Sequence, residues 1–218
     1  MPDTYVRANE RRSMKLEDPN TFHMHAPVET FDVGPLTVEI RYDETSYGPR
    51  FEQDNLSRLI CWHRRYNLGD KHGFGSPDDF KDWWTAYGKG GILLPLFLYD
   101  HSGITISTQP FSCRWDSGQV GWAYITATKL AEEFPDLPPD QRLQRGEDII
   151  QTEVDEYDSY LRGEVYSVHI IDQEGQTLDI CGGHLGRETV KEAAMEVAHQ
   201  WLPTPPYAVA STEGHLHG

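Results

Sequence analysis

The sequence has 218 residues and a formal net charge of −16, from 19 Lys and Arg against 35 Asp and Glu. This charge argues against binding a phosphate backbone through a broad surface, because the field of the protein repels polyanions. The length allows one sizeable core and is short for two full domains, so we expect a single domain. The three cysteines include no Cys-x-x-Cys pair, and no run of about 18 apolar residues predicts a membrane span. We therefore expect a reduced, cytoplasmic protein.

The beginning and the end of the sequence differ in character from the part between them. Residues 1–35 combine charges and prolines with little periodicity, which predicts an arm that is flexible or held by a partner. Residues 36–202 are predicted to form the single domain. Residues 203–218 hold three prolines and predict a flexible tail.

Local signals predict a first group of strands and one helix. LTVEIRY, from Leu36, alternates apolar and polar residues as a half-buried strand does, and Asn55–His63 predicts a second strand. Ser76 followed by Pro77 and two acids predicts a helix that starts there and ends near Tyr87. LLPLFLYD and ITIST then predict a hairpin across a short turn, and QVGWAYIT predicts a third strand that completes a meander.

Two long helices are predicted in the second half. Apolar residues recur on one face of Asp140–Arg162, and these are Leu143, Ile150, Val154, Tyr157 and Leu161. EVYSVHII and TLDICGG predict a second hairpin, and the closing helix Arg187–Leu202 is predicted to face inward through Val190, Ala194, Val197 and Trp201. These elements predict an α+β fold, in which a mostly antiparallel sheet of hairpins is covered on one face by the two longer helices.

Two segments rich in Asp, Ser and Gly flank the predicted strands. Turns select these residue types, so DHSG at Asp100 and DSG at Asp116 are interpreted first as turns. As a site, Asp100, His101 and Asp116 would join His63 and Asp70 in a cluster that binds a divalent metal and activates water. Nothing in their spacing enforces a metal site, so no metal ligand is assigned and no other cofactor is expected. This cluster is the basis of one alternative function, a metal-dependent hydrolase of a nucleotide or nucleic acid.

Two other groups of residues leave alternatives open. Cys61 lies two residues from His63, so a cysteine nucleophile stands beside burial of the thiol as a small apolar group. Aromatic residues around the Arg64-Arg65 pair would form either a stacking pocket for a nucleotide or an aromatic core and rim, and we favour the core. These aromatic residues are Trp62, Tyr66, Trp83, Trp84, Trp115 and Trp122.

The predicted helix Asp140–Arg162 carries six acids between Glu147 and Asp158, with no Lys or Arg among them. Like charges three and four residues apart destabilise a helix by about 0.2–0.5 kcal/mol per pair. The acids form either an ordinary solvated face or a row that imitates phosphates and docks in a basic groove of another protein. The residues proposed to contact a partner are Glu147, Asp148, Asp155, Glu156 and Asp158.

Three blocks in the middle of the chain, CWHRRYNLGD, LPLFLYDHSGITIST and FSCRWDSGQVGW, are followed by EVDEYDSYLRGEVY. In these blocks the chain resembles a family of small acidic proteins encoded by tailed phages and other mobile elements of bacteria. The resemblance covers about Asn55 to Cys181 and leaves out the arm, the PDLPPD connector and the tail. It implies a setting in the cytoplasm of a host cell, and it brings no catalytic residue to this chain.

That setting favours a phage or mobile-element accessory protein that acts by protein–protein binding rather than as an enzyme. The expected partner is a host or phage protein with a basic surface. The expected effect includes inhibition of a host defence or nucleic-acid-handling enzyme through an acidic, nucleic-acid-mimicking surface. Direct contact with nucleic acid or a membrane is not expected. The hydrolase and a virion or assembly component remain as alternatives, and the oligomeric state is open.

Overall fold

A computed structural model describes residues 26–52 and 54–202, which form an α+β fold with two antiparallel four-stranded sheets. The predicted fold class and the antiparallel pairing are confirmed. The strands are β1 (Glu29–Val33), β2 (Leu36–Tyr42), β3 (Arg58–Cys61), β4 (Ile92–Asp100), β5 (Ile104–Ser107), β6 (Ser117–Ile125), β7 (Val165–Ile171) and β8 (Thr177–Leu185). The helices are α1 (Pro49–Glu52), α2 (Pro77–Tyr87), α3 (Ala127–Glu133), α4 (Pro139–Leu161) and α5 (Arg187–Trp201).

Sheet 1 has the strand order β1-β2-β7-β8. Its strand β2 is the predicted segment LTVEIRY, and alternation buries Leu36, Val38 and Ile40 on one face. α5 covers that face with Val190 and Ala194, which are fully buried. Because β2 pairs with β7, sheet 1 is built from segments at both ends of the described chain.

Sheet 2 has the strand order β3-β6-β4-β5 and packs against α4. The predicted stripe of α4 is confirmed, since Ile150, Val154 and Tyr157 are buried in the cluster beneath this sheet. The buried apolar residues therefore form two clusters, where the sequence predicted one core. The two long helices also cover different sheets rather than one face of a single sheet. The spacing of apolar residues along a helix shows which of its faces is buried. It does not show which sheet covers that face, because each sheet forms by pairing between distant strands.

The first strand corrects the predicted boundary between arm and domain. Glu29–Val33, assigned by the sequence to the arm, is an edge strand that pairs with β2, with Phe31 opposite Val38. Val33 is buried, and Glu29 forms an ion pair of 3.1 Å with Lys191 of α5. The sequence did not predict this strand, because an apolar–polar alternation of only five residues between charged neighbours is too short to indicate a strand. Residues 1–25 of the predicted arm and the predicted tail, 203–218, lie outside the described residues.

The predicted meander is also wrong in one respect. A meander would place β6 beside β5, but β6 pairs with β3 and β4, and β5 is an edge strand. α4 takes the outer side of β5, where the Asp158 carboxylate accepts the backbone N–H of Ile106 at 2.8 Å. The helix thus supplies a hydrogen-bond acceptor at this edge of the sheet, where a further strand would otherwise pair.

The helices mostly begin, end and face as their sequences predict. In α2, Ser76 Oγ accepts the backbone N–H of Asp79 at 3.1 Å. Gly88 ends this helix, and a Cβ there would come within 2.2 Å of the Trp84 ring. In α5 the predicted inward residue Trp201 is 45% exposed, and Ala198 is buried instead. Among the described helices, none combines the length and the apolar character needed to cross a membrane.

Candidate functional site

Four of the five candidate catalytic residues lie at one end of the strands of sheet 2. The antiparallel pairs Cys61↔Gly121 and Tyr99↔Ser117 bring the end of β3, the end of β4 and the start of β6 together there. We call the side chains at this end of the strands the strand-end cluster. Its members are His63, Arg64, Arg65, Tyr66, Asp100, His101, Arg114, Trp115 and Asp116.

Asp100 is engaged within the strand-end cluster. Its backbone N–H donates to the Asp116 carbonyl at 2.8 Å, which joins the end of β4 to the residue before β6. The interpretation of DSG as a turn is wrong, because Ser117 and Gly118 already belong to β6. Its carboxylate pairs with the Arg65 guanidinium and accepts a hydrogen bond of 3.3 Å from the Tyr66 hydroxyl. The Asp100 side chain is 20% exposed and the Arg65 side chain is 67% exposed, so only the Asp100 half of this ion pair is shielded from solvent. Asp100 therefore positions Arg65 and Tyr66.

His101 and Asp116 face solvent. His101 Nδ1 lies 3.5 Å from Asp116 Oδ2, and the Cys113 thiol donates to the same oxygen at 3.6 Å. The DHSG segment is the hairpin turn between β4 and β5, which confirms its interpretation as a turn. Ser102 has a φ of 61° there, and the His101 N–H donates to the Gly103 carbonyl at 3.0 Å. The His101–Asp116 pair is therefore a weak, exposed contact beside the turn.

The cysteine alternative does not agree with the surroundings of Cys61. Cys61 is buried, and burial, with the nearby Asp70 charge second, raises the pKa of its thiol to about 12. A thiol with this pKa stays protonated and is a poor nucleophile. His63 points to other partners, because its ring stacks on Tyr66 at 5.0 Å and its Nδ1 accepts the Arg65 backbone N–H.

Asp70, the fifth candidate, belongs to a buried ion network around Arg50. The Arg50 side chain is only 3% exposed. Its Nε and one terminal nitrogen donate to the two Asp70 oxygens at 3.0 and 2.8 Å. The remaining N–H groups donate to Asn55, Glu153 and the Ser57 carbonyl at 2.7, 3.0 and 2.7 Å. All five donors of a guanidinium are thus used, which commits Asp70 to structure.

Glu153 completes this network from α4. One oxygen accepts the backbone N–H of Leu56 at 2.7 Å, and the other accepts the fully buried hydroxyl of Ser57. Burial alone would lower the pKa of Arg50, but hydrogen bonds and charge from Asp70 and Glu153 raise it. The network therefore ties α1, the start of β3 and α4 together. Sequence reasoning missed it, because no local pattern links Arg50 to a residue 103 positions away.

The acids of α4 have different fates in the fold. Asp158 accepts the Ile106 N–H and forms an ion pair of 2.9 Å with Arg162. Burial, with the charge of Glu153 second, raises the pKa of Glu156. By contrast, Glu147, Asp148 and Asp155 are exposed. Three of the six acids are therefore exposed to solvent.

The aromatic residues mostly form a packed group between α2 and sheet 2, as the core interpretation predicts. Phe80 of α2 is fully buried at its centre. Its ring lies 5.4 Å from that of Trp122 and 5.5 Å from that of Tyr124. Trp62 packs at the side of this group, and its Nε1 is buried without a hydrogen-bond partner among the described residues. Tyr66 and Trp115 are exceptions, because Tyr66 lies in the strand-end cluster and Trp115 is 95% exposed.

Within residues 26–52 and 54–202, no group of three or more His, Cys, Asp and Glu side chains is arranged to hold a metal ion. Comparison of the chain with protein-family models, with curated proteins and with solved structures gave no match in any of the three. A function for this chain therefore has to be inferred from the geometry and chemistry of its own side chains.

Proposed function

We propose that the protein acts by binding another protein, and that the exposed carboxylates of α4 form part of the contact. Glu147, Asp148 and Asp155 carry this proposal, because they form no ion pair with any residue in the described ranges. Asp148 and Asp155 accept hydrogen bonds of 3.2 and 2.8 Å from the uncharged amides of Gln144 and Gln151. These bonds orient the carboxylates without neutralising them.

The proposed contact is smaller than the row of acids in the sequence. Asp158 is left out, because one of its oxygens serves the edge of β5 and the other serves Arg162. Glu156 is half-buried at the side of the row. The remaining three acids span about two turns of α4, from Glu147 to Asp155. A partner that complements them carries Lys and Arg on a surface or groove of similar length.

The resemblance to small acidic proteins of phages and mobile elements supports a setting for this proposal. In a bacterial host, proteins that handle nucleic acid expose basic grooves, and carboxylates on a helix compete for such grooves with phosphates. We therefore propose a host defence or nucleic-acid-handling enzyme as the partner and inhibition as the effect. The net charge of −16 adds long-range attraction to a basic surface, which raises the rate of association.

The alternative of a metal-dependent hydrolase has less support from the geometry. Asp70 is committed to Arg50, and Asp100 is committed to Arg65 and Tyr66. His101 and Asp116 then remain as an exposed pair, whereas activation of water needs ligands that hold a metal in a fixed, shielded geometry. Chelator-sensitive release of phosphate from a nucleotide by the purified chain would contradict the binding proposal.

The test is capture of partners from a bacterial lysate by the immobilised full chain, followed by affinity measurement with the partner that mass spectrometry identifies. We expect Glu147→Gln combined with Asp148→Asn and Asp155→Asn to weaken that complex and to flatten its dependence on salt concentration. The fold should be unchanged, since all three side chains are exposed.

α5 offers a matched control. Glu188, Glu192 and Glu196 are also exposed, so their replacement by Gln removes the same number of charges from another helix. Binding retained in this control but lost in the α4 variant supports the proposed face. An equal loss in both variants would show general electrostatic attraction instead. Undiminished binding of the α4 variant at low and high salt would remove the proposal.

A further inference from the structure

Tyr66 organises one part of the strand-end cluster before any ligand binds. The rings of His63 and Tyr66 are parallel, with centroids 5.0 Å apart, and the Arg65 guanidinium lies 5.4 Å from the Tyr66 ring centroid. Arg65 and Tyr66 both bond to Asp100, whose side chain is 20% exposed. Side chains that are already held in place lose little conformational entropy when they bind a ligand.

An open cleft of about 410 Å³ is lined by His63, Arg64 and Arg65. This volume falls within the range of about 300–1,000 Å³ that is typical of small-molecule sites. His63 Nδ1 accepts the Arg65 backbone N–H at 3.3 Å, so Nε2 carries the hydrogen of the neutral ring. Each guanidinium adds five N–H donors in a planar fork. A lining of N–H donors and positive charge suits an oxyanion with several oxygens, such as a phosphate.

The strand-end cluster holds three arginines, Arg64, Arg65 and Arg114, against the two carboxylates of Asp100 and Asp116, so its charge is opposite in sign to that of the whole chain. Arg64 and Arg114 are exposed and form no ion pair with any residue in the ranges that the structure describes. At physiological ionic strength, exposed charges more than about 8 Å apart are largely screened, so a small anion responds mainly to these arginines. A long polyanion would also meet the acidic remainder of the surface, which carries the net charge of −16. The charge distribution therefore favours a small phosphorylated ligand over a nucleic acid.

Trp115 supplies a flat, exposed surface in a loop that Asp100 connects to Arg65, because Asp100 bonds both the Asp116 carbonyl and the Arg65 guanidinium. It is 95% exposed, although the loop that carries it is well anchored. The Ser117 hydroxyl donates to the Cys113 carbonyl. The carbonyl of Asp116, the residue after Trp115, accepts the Asp100 N–H at 2.8 Å. A solvent-exposed indole gains favourable contact when a nucleobase stacks on it, by about 1–3 kcal/mol per base in known complexes.

We propose that the strand-end cluster binds a nucleoside monophosphate, with its phosphate between Arg64, Arg65 and His63 and its base on Trp115. This site uses no residue of α4 and goes beyond the proposed protein-binding function. Ligand binding here and partner binding at α4 can therefore fail or succeed separately.

Titration calorimetry of the full chain tests the site with each of the four common nucleoside 5′-monophosphates, with the matching nucleosides and with inorganic phosphate. We expect saturable binding of at least one monophosphate. The matching nucleoside and phosphate alone should each bind at least about tenfold more weakly, since each keeps only part of the contact. Arg64→Ala should weaken binding of the monophosphate by about tenfold or more, because a charge-assisted hydrogen bond is lost.

Two further variants make the test specific. Trp115→Ala should weaken binding of the monophosphate and leave binding of inorganic phosphate unchanged. Arg145→Ala, which removes an exposed arginine from α4, is the matched control and should leave both affinities unchanged. No saturable binding of any monophosphate would overturn the proposal, as would an equal loss in the Arg64→Ala and Arg145→Ala variants. Binding of a monophosphate that is insensitive to Trp115→Ala would also overturn it.

Discussion

Arg50 holds three segments of the chain together through a guanidinium that is almost completely removed from water. If Arg50→Met removes the cation, the carboxylates of Asp70 and Glu153 stay buried and lose their buried cationic partner. Breaking a buried ion pair in this way costs about 3–5 kcal/mol, so we expect the free energy of unfolding to fall by that amount. Urea denaturation of both proteins, followed by circular dichroism, measures the difference.

Arg58 is the matched control for this prediction, because it also contacts Asp70, at 3.2 Å, but its side chain is 52% exposed. Exposed ion pairs contribute less than about 1 kcal/mol, so Arg58→Met should have a small effect. Similar losses in the Arg50 and Arg58 variants would show that burial does not set the strength of this network.

Two histidines of sheet 1 make the stability depend on pH. Burial lowers the pKa of His169 and of His184 below their usual value of 6.5. As pH falls, the unfolded state then binds protons before the folded state does. The contribution of the two histidines to the free energy of unfolding is therefore complete above pH 6.5 and is lost as pH falls. We expect the free energy of unfolding to decrease between about pH 7 and about pH 5 because of these two groups. His169→Gln combined with His184→Gln should flatten this decrease in urea titrations.

Glu156 provides a control with the opposite sign. Its pKa is raised above 4.5 in the folded state, so its contribution is complete below that value and is lost as pH rises. Glu156→Gln removes this contribution, so it should steepen the fall of the free energy of unfolding as pH approaches 4.5 and leave the fall nearer pH 7 unchanged. A pH profile that is unchanged in the double histidine variant would contradict the assignment.

At the scale of an element, α4 protects the exposed edge of sheet 2. The edge strand β5 has an outward backbone N–H at Ile106, and Asp158 accepts it at 2.8 Å. Asp158→Ala leaves this donor without its partner and also removes one of the two ion pairs of Arg162, which keeps its contact of 2.8 Å with Glu164. An unsatisfied, partly buried donor costs about 1–3 kcal/mol, and we expect a loss of stability in this range. Hydrogen exchange at the Ile106 amide should accelerate as well.

Asp155→Ala is the control for this prediction, because it removes an acid of α4 that faces solvent. Surface substitutions of this kind change stability by about 0.5 kcal/mol or less. Equal exchange rates at the Ile106 amide in the two variants would show that Asp158 does not protect the strand edge.

The elements predicted correctly from sequence are those with local signals. α2 has a cap, a proline and a terminal glycine within its own thirteen positions, Ser76–Gly88, and β2 has an unbroken alternation. The position of β6 between β3 and β4 has no such signal, because strand order depends on contacts between distant segments. The same reason applies to the site. The convergence of Asp100, His101, Asp116, His63 and Asp70 was an alternative to the favoured interpretation as turns. No local pattern indicated that Asp70 bonds to Arg50 instead.

At the scale of the whole molecule, two sheets with separate clusters replace the single core that the length suggested. The features that face solvent are also separated. Carboxylates lie along α4, whereas arginines and an exposed tryptophan lie at the edge of sheet 2 where β3 ends. A protein with net charge −16 thus carries a locally basic region within the described residues, and total charge alone does not describe how it meets other molecules.

The pairing of β2 with β7 also has a consequence for biosynthesis. On the ribosome, β1 and β2 emerge early but lack their central neighbour until β7 has been translated. The intervening residues, which include sheet 2 and α4, can bury their own apolar cluster first. We expect a chain that is truncated before Val165 and released from the ribosome to protect sheet 2 from protease while the first two strands remain susceptible.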